Sequence, residues 1–211
     1  MGVSLFYGAA GGTRMMGRRR LLTGIAAAAA VVDLGLLAVL HVVQPGVGVL
    51  TDPTSSYVHG TFGMAVPVAA CAVGVGAVAL TFAAWDVIDG RPGRVGVLLL
   101  AVFGLAKVLQ AFFPIDVDGQ STGSGALHNL LGNVAFFVLP VAAGLITPAL
   151  ARALGRGAAG ATVIGWALAA LAVLVLVGDA AGFFGLAQRL YLVYASVWML
   201  MVALWLRRVS R

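Results

Sequence analysis

The stretch FFPIDVDGQSTGSGALHNLLGN, residues 112–133, is the longest polar insert in an otherwise apolar chain. It follows the apolar run VLLLAVFGLAKVLQAFF (residues 97–113) and leads into LLGNVAFFVLPVAAGLITPAL (residues 130–150). A helix that crosses the hydrocarbon core of a bilayer needs about 20 predominantly apolar residues, and both flanks meet this requirement. The pattern therefore predicts two transmembrane helices that are joined by a polar loop at one membrane surface.

The composition extends this interpretation to the whole chain. Of its 211 residues, 62% are hydrophobic and only 9% are charged, and the mean hydropathy is +1.06. A soluble fold of this size cannot bury so much apolar surface. Apolar segments of about 20 residues also favour helices over the alternating strands, about 10 residues long, of an outer-membrane barrel. We therefore expect an all-α integral membrane bundle.

Six segments are apolar enough to be transmembrane helices, and together they form one domain, residues 21–206. The predicted spans are residues 21–41, 57–84, 95–113, 126–150, 158–183 and 190–206. Residues 1–20 form a basic N-terminal segment and residues 207–211 a basic tail. The first span is too long for a cleaved signal peptide, contains Asp33 and precedes no clear small-x-small cleavage site, so we expect a retained signal anchor.

The distribution of positive charge predicts the orientation of the bundle. Excess Lys and Arg mark the cytoplasmic side of a membrane protein, so both termini are expected to be cytoplasmic. The net charge of +6 falls in short groups without interleaved aromatic residues, which indicates contacts with anionic lipid rather than with nucleic acid. Eleven of the thirteen basic residues lie on the predicted cytoplasmic side: Arg14, Arg18, Arg19, Arg20, Arg91, Arg94, Arg152, Arg156, Arg207, Arg208 and Arg211.

Three charged residues lie within the predicted spans. At 1.5 Å per residue, Asp33 and Lys107 are both roughly 18 Å from the cytoplasmic ends of their helices. A lone charge at that depth costs at least about 2.5 to 3.5 kcal/mol, so we expect an Asp33–Lys107 pair. Asp179 lies near the outer end of the fifth helix. These charges indicate either a functional site or a structural ion-pair network.

Other polar residues cluster toward the same outer half of the membrane. Asn129 and Asn133 are four residues apart and share a face of the fourth helix, which His128 flanks. The three histidines, His41, His59 and His128, fall at outer helix ends, where interfacial hydrogen bonding is the alternative to ligation. Without a paired HxxxH or HExxH motif, no metal or other cofactor is expected. Asp52 and Asp118 lie in loops that contain Pro, Gly, Ser and Thr, so we expect both to be ordinary turn residues.

Two outward loops carry a family resemblance. Phe113-Pro114-x-Asp116, followed by Gly-x-x-His128, and Asp52-Pro53-x-Ser55-Ser56 resemble motifs of the bacterial membrane family catalogued as domain of unknown function 998. The resemblance covers nearly the whole chain. It implies a six-helix fold in a bacterial cytoplasmic membrane, with Asp116, His128 and Ser55 on one face, and it implies no established reaction.

A second, looser resemblance concerns the chemistry. The His, Asp and Ser content is similar to that of the zinc-dependent membrane hydrolases that include alkaline ceramidases. The chain departs from their pattern because it lacks a paired HxxxH and a seventh helix.

These residues favour an outward-facing polar pocket that binds, and as an enzyme would transform, a lipid or isoprenoid. A desolvated Asp would serve as general acid, in terpene-cyclase-like or hydrolase-like chemistry. The catalytic candidates are Asp33, Asp116, His128 and Asp179. The substrate-binding candidates are Ser55, His59, Lys107, Asn129, Asn133, Arg189, Tyr191 and Tyr194.

Two other classes of function stay open. A small transporter or proton-coupled carrier would use the intramembrane charges as relay groups, although the chain has no internal repeat. A non-catalytic helper subunit would pack on a partner through glycine-rich helix faces. Gly178-x-x-x-Gly182 has the spacing that lets two helices approach closely and would also suit a homodimer.

Overall fold

The computed structural model describes residues 6–117 and 120–209 of the chain. All regular structure in these residues is helical, and six helices are long and apolar enough to cross a membrane. This confirms the all-α six-helix membrane bundle. The helices are α1 (Phe6–Val43), α2 (Ala65–Trp85), α3 (Arg91–Gln110), α4 (Gly123–Ala153), α5 (Ala158–Ala181) and α6 (Phe184–Val209), with a 3₁₀ helix (Thr54–His59) between α1 and α2.

The helix boundaries differ from the predicted spans where glycine decides the backbone. The predicted second span is divided, because the 3₁₀ helix ends at Gly60, whose backbone is extended (φ −96°, ψ −179°), and α2 begins only at Ala65. Helix α5 ends at Gly182, whose φ of 80° is left-handed and favours glycine. Gly182 is therefore a helix cap, so the Gly178-x-x-x-Gly182 pair does not form a continuous helical packing face.

The helices form a ring in which each packs on its neighbours in sequence. Helix α6 closes the ring against α1 and also reaches across to α2 and α4. Helices α1 and α3 are not adjacent in this ring. The arrangement directs polar side chains from non-adjacent helices toward a shared interior.

Glycine sets the closest approach between neighbouring helices. A Cβ on Gly74 of α2 would lie 2.7 Å from the Gly104 carbonyl oxygen of α3, and a Cβ on Gly104 would lie 2.8 Å from that of Gly74. The two backbones are therefore in direct contact. Small residues at such crossings are the usual means by which helices associate in lipid, where no hydrophobic driving force acts between them.

The arginine-rich end of the bundle, called here the basic end, has a filled interior. Trp198 of α6 is 1% exposed, and its Nε1 donates a 2.8 Å hydrogen bond to Thr147 Oγ1 of α4. Thr147 in turn donates to the Ala143 carbonyl oxygen at 2.7 Å. Fully buried side chains in the same core cluster as Trp198 include Leu80, Leu150, Met199 and Leu206.

Candidate functional site

A hydrogen-bonded chain of side chains joins α3 to α4 at the end opposite the basic end. The Lys107 ammonium donates to Gln110 Oε1 at 2.6 Å. Gln110, which is 8% exposed, directs its amide nitrogen to His128 Nε2 and to the His128 carbonyl oxygen, each at 3.2 Å. Gly132 leaves room for this amide, because a Cβ there would lie 2.7 Å from Gln110 Nε2.

These contacts define the tautomer of His128. Its Nδ1 lies 2.7 Å from the Phe113 carbonyl oxygen, which can only accept, so Nδ1 carries the proton. Nε2 then accepts from the Gln110 amide. Both ring nitrogens are thus occupied, and the neutral imidazole ties the end of α3 to the start of α4.

Asp33 approaches this chain from the other side of the bundle interior. Its Oδ2 accepts a 2.6 Å hydrogen bond from Ser196 of α6, and it lies within electrostatic range of Lys107. Among the described residues the single ion pair joins Arg94 to Asp89 at 3.7 Å. The expected Asp33–Lys107 pair is therefore not a direct ion pair: each residue contacts a neutral partner, and the two charges interact at longer range. We call Asp33, Ser196, Lys107, Gln110 and His128 the intramembrane cluster.

Asp116 organises the loop that leads into α4. Its carboxylate accepts from the Thr122 backbone N–H at 2.9 Å and from the Thr122 hydroxyl at 2.5 Å. Thr122 Oγ1 accepts in turn from Gly125 N at 3.1 Å, which caps the helix. The Thr122 hydroxyl and backbone N–H hold the pKa of Asp116 below its usual range. Asp118 lies outside the described residues.

Arg189 of α6 forms a second polar group, called here the outer-loop cluster. The guanidinium is 5% exposed and donates to His41 Nε2 at 2.7 Å, to the carbonyl oxygens of Val49 and Asp52 at 3.1 and 2.7 Å, and to Tyr57 Oη at 3.2 Å. No carboxylate pairs directly with it among the described residues. Arg189 thus fastens the α1–α2 connection to the bundle, which is a structural role.

Two neighbouring contacts extend the outer-loop cluster. Gln188 Oε1 accepts from Thr54 N at 2.8 Å and from its hydroxyl at 3.2 Å. The Asp52 carboxylate accepts from Gly48 N and Thr51 Oγ1, both at 2.8 Å, and these two donors hold the pKa of Asp52 below its usual range.

The two candidate tyrosines serve as ties between helices. Tyr191 donates to the Phe136 carbonyl oxygen of α4 at 3.0 Å, and Tyr194 donates to the Ile164 carbonyl oxygen of α5 at 2.8 Å. Carbonyl oxygens in a helix already accept one bond each, so these hydroxyls add a second.

The remaining candidates are not brought into the intramembrane cluster. Asp179 is exposed on α5, as are His59, Asn129 and Asn133 on their own elements, while Ser55 is half-buried. Within the described ranges these side chains have no hydrogen-bond or ion-pair partner. The structure joins Lys107 to His128 through Gln110, whereas it leaves Asp179, which the sequence grouped with Asp33 and Lys107, exposed on α5.

The candidate site residues do not line the surface depression beside the 3₁₀ helix. A shallow depression of about 390 Å³ is lined by residues 58 and 60–65, between the 3₁₀ helix and α2, and includes none of the candidate site residues. In residues 6–117 and 120–209, no group of three His, Cys, Asp or Glu side chains could hold a metal ion.

Several participants were missed from the sequence. Gln110 lies one helical turn after Lys107 in an apolar span, and that i, i+3 spacing was the available signal. Ser196 and Thr122 gave none, because isolated hydroxyl residues are common in membrane helices and turns. Tyr57 and His41 become neighbours only when α1, the 3₁₀ helix and α6 meet.

The six apolar helices and their buried polar groups define a multi-pass helical membrane protein. The chain belongs to the family described as "Protein of unknown function (DUF998)", whose model matches residues 27–205. This confirms the family resemblance of the two loop motifs. No curated protein and no solved structure matches the chain.

Proposed function

We propose that the intramembrane cluster binds the polar head of an amphiphilic molecule, a lipid or an isoprenoid. The observation that carries this proposal is the pairing of Asp33 and Lys107 with neutral partners rather than with each other. Charged side chains within a membrane are costly and mark functional sites by default.

Both charged groups retain hydrogen-bonding capacity. An ammonium has three donors and Lys107 uses one on Gln110, whereas a carboxylate has about four acceptor positions and Asp33 uses one on Ser196. A head group with an acceptor for Lys107 and a hydroxyl for Asp33 would satisfy both. The exposed apolar side chains on the surrounding helices suit the tail of such a molecule.

Acid–base chemistry extends the proposal to an enzyme. In this chemistry the protonated form of Asp33 is the proposed general acid, which would give its proton to an alkene, an epoxide or a leaving oxygen of the bound molecule and become the carboxylate. His128 would serve as base after the Gln110 amide rotates away from Nε2, because that lone pair is occupied in the structure. Asp116 is committed to Thr122, so we assign it to the shape of the loop.

The filled interior of the basic end favours a binding site over a carrier. A carrier needs a polar route that continues past Trp198 and Thr147, where the interior is packed with apolar side chains. We infer in addition that the basic end is cytoplasmic and that the membrane is the bacterial plasma membrane. A homodimer through glycine-rich faces stays a prediction.

Lipid extraction and native mass spectrometry of the purified protein test the proposal. We expect a co-purifying amphiphile whose occupancy falls about tenfold in Asp33→Asn and in Lys107→Met, since a hydrogen bond to a charged group contributes about 1.5 to 3 kcal/mol. Asp179→Asn is the matched control, because its carboxylate is exposed and has no partner among the described residues. Equal occupancy in all variants, or no amphiphile, would overturn the proposal.

A further inference from the structure

The basic end carries arginines that are fixed on aromatic rings. Arg18 of α1 lies over the Phe82 ring of α2, with Cζ 5.9 Å from the ring centre. Arg94 lies over Trp85 at 5.6 Å, and Arg156 over Trp205 at 5.3 Å. Each contact joins two different elements of the bundle. A guanidinium stacked in this way keeps its edge N–H groups available as donors.

Two of the three rings that hold these arginines face outward. Phe82 is 52% exposed and Trp85 is 40% exposed, so both side chains meet the surrounding lipid. An arginine stacked on a lipid-facing ring is held at the level where the hydrocarbon meets the head groups. Aromatic residues are enriched at that level for the same reason.

The seam between α1 and α2 places Arg18 beside a second arginine, Arg19, in one surface depression. Arg18 and Arg19 line it together with Phe82 and Asp86. Among the described residues no ion pair joins either arginine to Asp86. The depression therefore presents two positive charges without direct neutralisation beside an apolar wall.

A neighbouring contact fixes the same part of α1 from the other side. The Thr23 hydroxyl donates to the Arg19 carbonyl oxygen at 2.9 Å and accepts from Arg207 Nε of α6 at 3.1 Å. Gly24 makes room for that guanidinium, since a Cβ there would lie 3.1 Å from Arg207 Nη2. Helix α1 is thus held between α2 and α6 at the level of its arginines.

We propose that the α1–α2 seam is a specific site for an anionic phospholipid. Arg18 and Arg19 bind the phosphodiester of the head group, and an acyl chain lies along Phe82 and Leu22, which line the same depression on the side of the hydrocarbon core. The guanidinium fork matches phosphate oxygens in geometry as well as charge. The site is distinct from the intramembrane cluster at the opposite end and does not depend on its proposed function.

Native mass spectrometry of the full chain tests this site with phosphatidylglycerol and phosphatidylcholine as probes. We expect the wild-type protein to retain phosphatidylglycerol preferentially. The double variant Arg18→Gln/Arg19→Gln should bind it roughly tenfold or more weakly, because the two guanidinium groups no longer make charge-assisted hydrogen bonds to the phosphate, and one such bond contributes roughly tenfold. The control Arg152→Gln/Arg208→Gln removes two exposed charges from the same end and should stay within about twofold.

The variant Phe82→Leu distinguishes a structured lipid-binding site from a general attraction of lipid to positive charge. It leaves every charge in place and removes the ring under Arg18, and we expect roughly threefold weaker retention of phosphatidylglycerol. A wild-type protein without head-group preference would overturn the proposal, as would equal losses in the double variant and its control. If the double variant does not fold, Phe82→Leu and the control decide: unchanged retention in Phe82→Leu contradicts a built site.

Discussion

The buried guanidinium of Arg189 should be one of the largest single contributions to the stability of this bundle. In Arg189→Met the side chain keeps its length and apolar stem but loses four hydrogen bonds, to His41, Val49, Asp52 and Tyr57. Burying a charge carries a desolvation penalty, so the removal of the guanidinium offsets part of the stability lost with these hydrogen bonds.

The magnitude can be approached in two ways. Hydrogen bonds between helices in a membrane average about 0.6 kcal/mol each, so four amount to roughly 2.4 kcal/mol. Alternatively, the Val49 and Asp52 carbonyl oxygens lie in a surface connection and can be hydrated, while His41 Nε2 and the fully buried Tyr57 hydroxyl lose their partner. Two such orphaned groups cost about 1 to 3 kcal/mol each. We therefore expect a loss of about 2 to 4 kcal/mol.

Equilibrium unfolding in mixed micelles with increasing dodecyl sulfate measures this loss. Arg208→Met is the matched control, since this exposed arginine of the same helix should change stability by less than about 0.5 kcal/mol. Arg189→Lys should retain only a minor part of the stability that is lost in Arg189→Met, because an ammonium cannot reproduce the planar fork of the guanidinium. Proteolysis within residues 44–64 should accelerate in Arg189→Met. A free energy of unfolding of Arg189→Met within about 0.5 kcal/mol of the wild-type value would refute the stabilising role of Arg189.

Three further predictions concern the α4 loop and the α2–α3 crossing. Thr122→Val removes the cap of α4 and should cost about 1 kcal/mol by the same unfolding assay, whereas Thr122→Ser should cost much less. Because the pKa of Asp116 is lowered in the folded protein, its carboxylate stabilises the loop above the ordinary range near pH 4, and that contribution is lost as the pH falls through the folded value. Asp116→Asn should therefore flatten the dependence of thermal stability on pH between about 5 and 3; an equally steep curve would contradict this. Gly104→Val should separate α2 from α3 and lower the unfolding midpoint strongly, while Gly35→Val, at a position where a Cβ would meet nothing within 4 Å, serves as control.

The fold could be read largely from the sequence, because lipid imposes a simple rule. Every backbone polar group must be satisfied inside the span, so about 20 apolar residues become a helix whatever their neighbours are. The six spans and the family followed from this rule and from the loop motifs. The exact helix ends did not, because they depend on the extended backbone at Gly60 and on the left-handed cap at Gly182.

The candidate site was only partly predictable. The expected depth of Asp33 and Lys107 follows from counting residues along each helix. Their partners, Ser196 and Gln110, depend on how each helix is rotated about its axis, which the apolar sequence leaves open on nearly every face. The rotation of α5 about its own axis likewise leaves Asp179 exposed.

The sequence by itself therefore determined that the chain forms six helices long and apolar enough to cross a membrane, because hydropathy is a local property. Only the tertiary structure decided which polar groups meet. The insert of residues 112–133 illustrates the difference: Asp116 shapes the loop through Thr122, whereas His128 joins Gln110 and Lys107. The physical reason is that hydrogen bonds between helices are set by packing and rotation, which the glycine contacts and the α6 crossing fix.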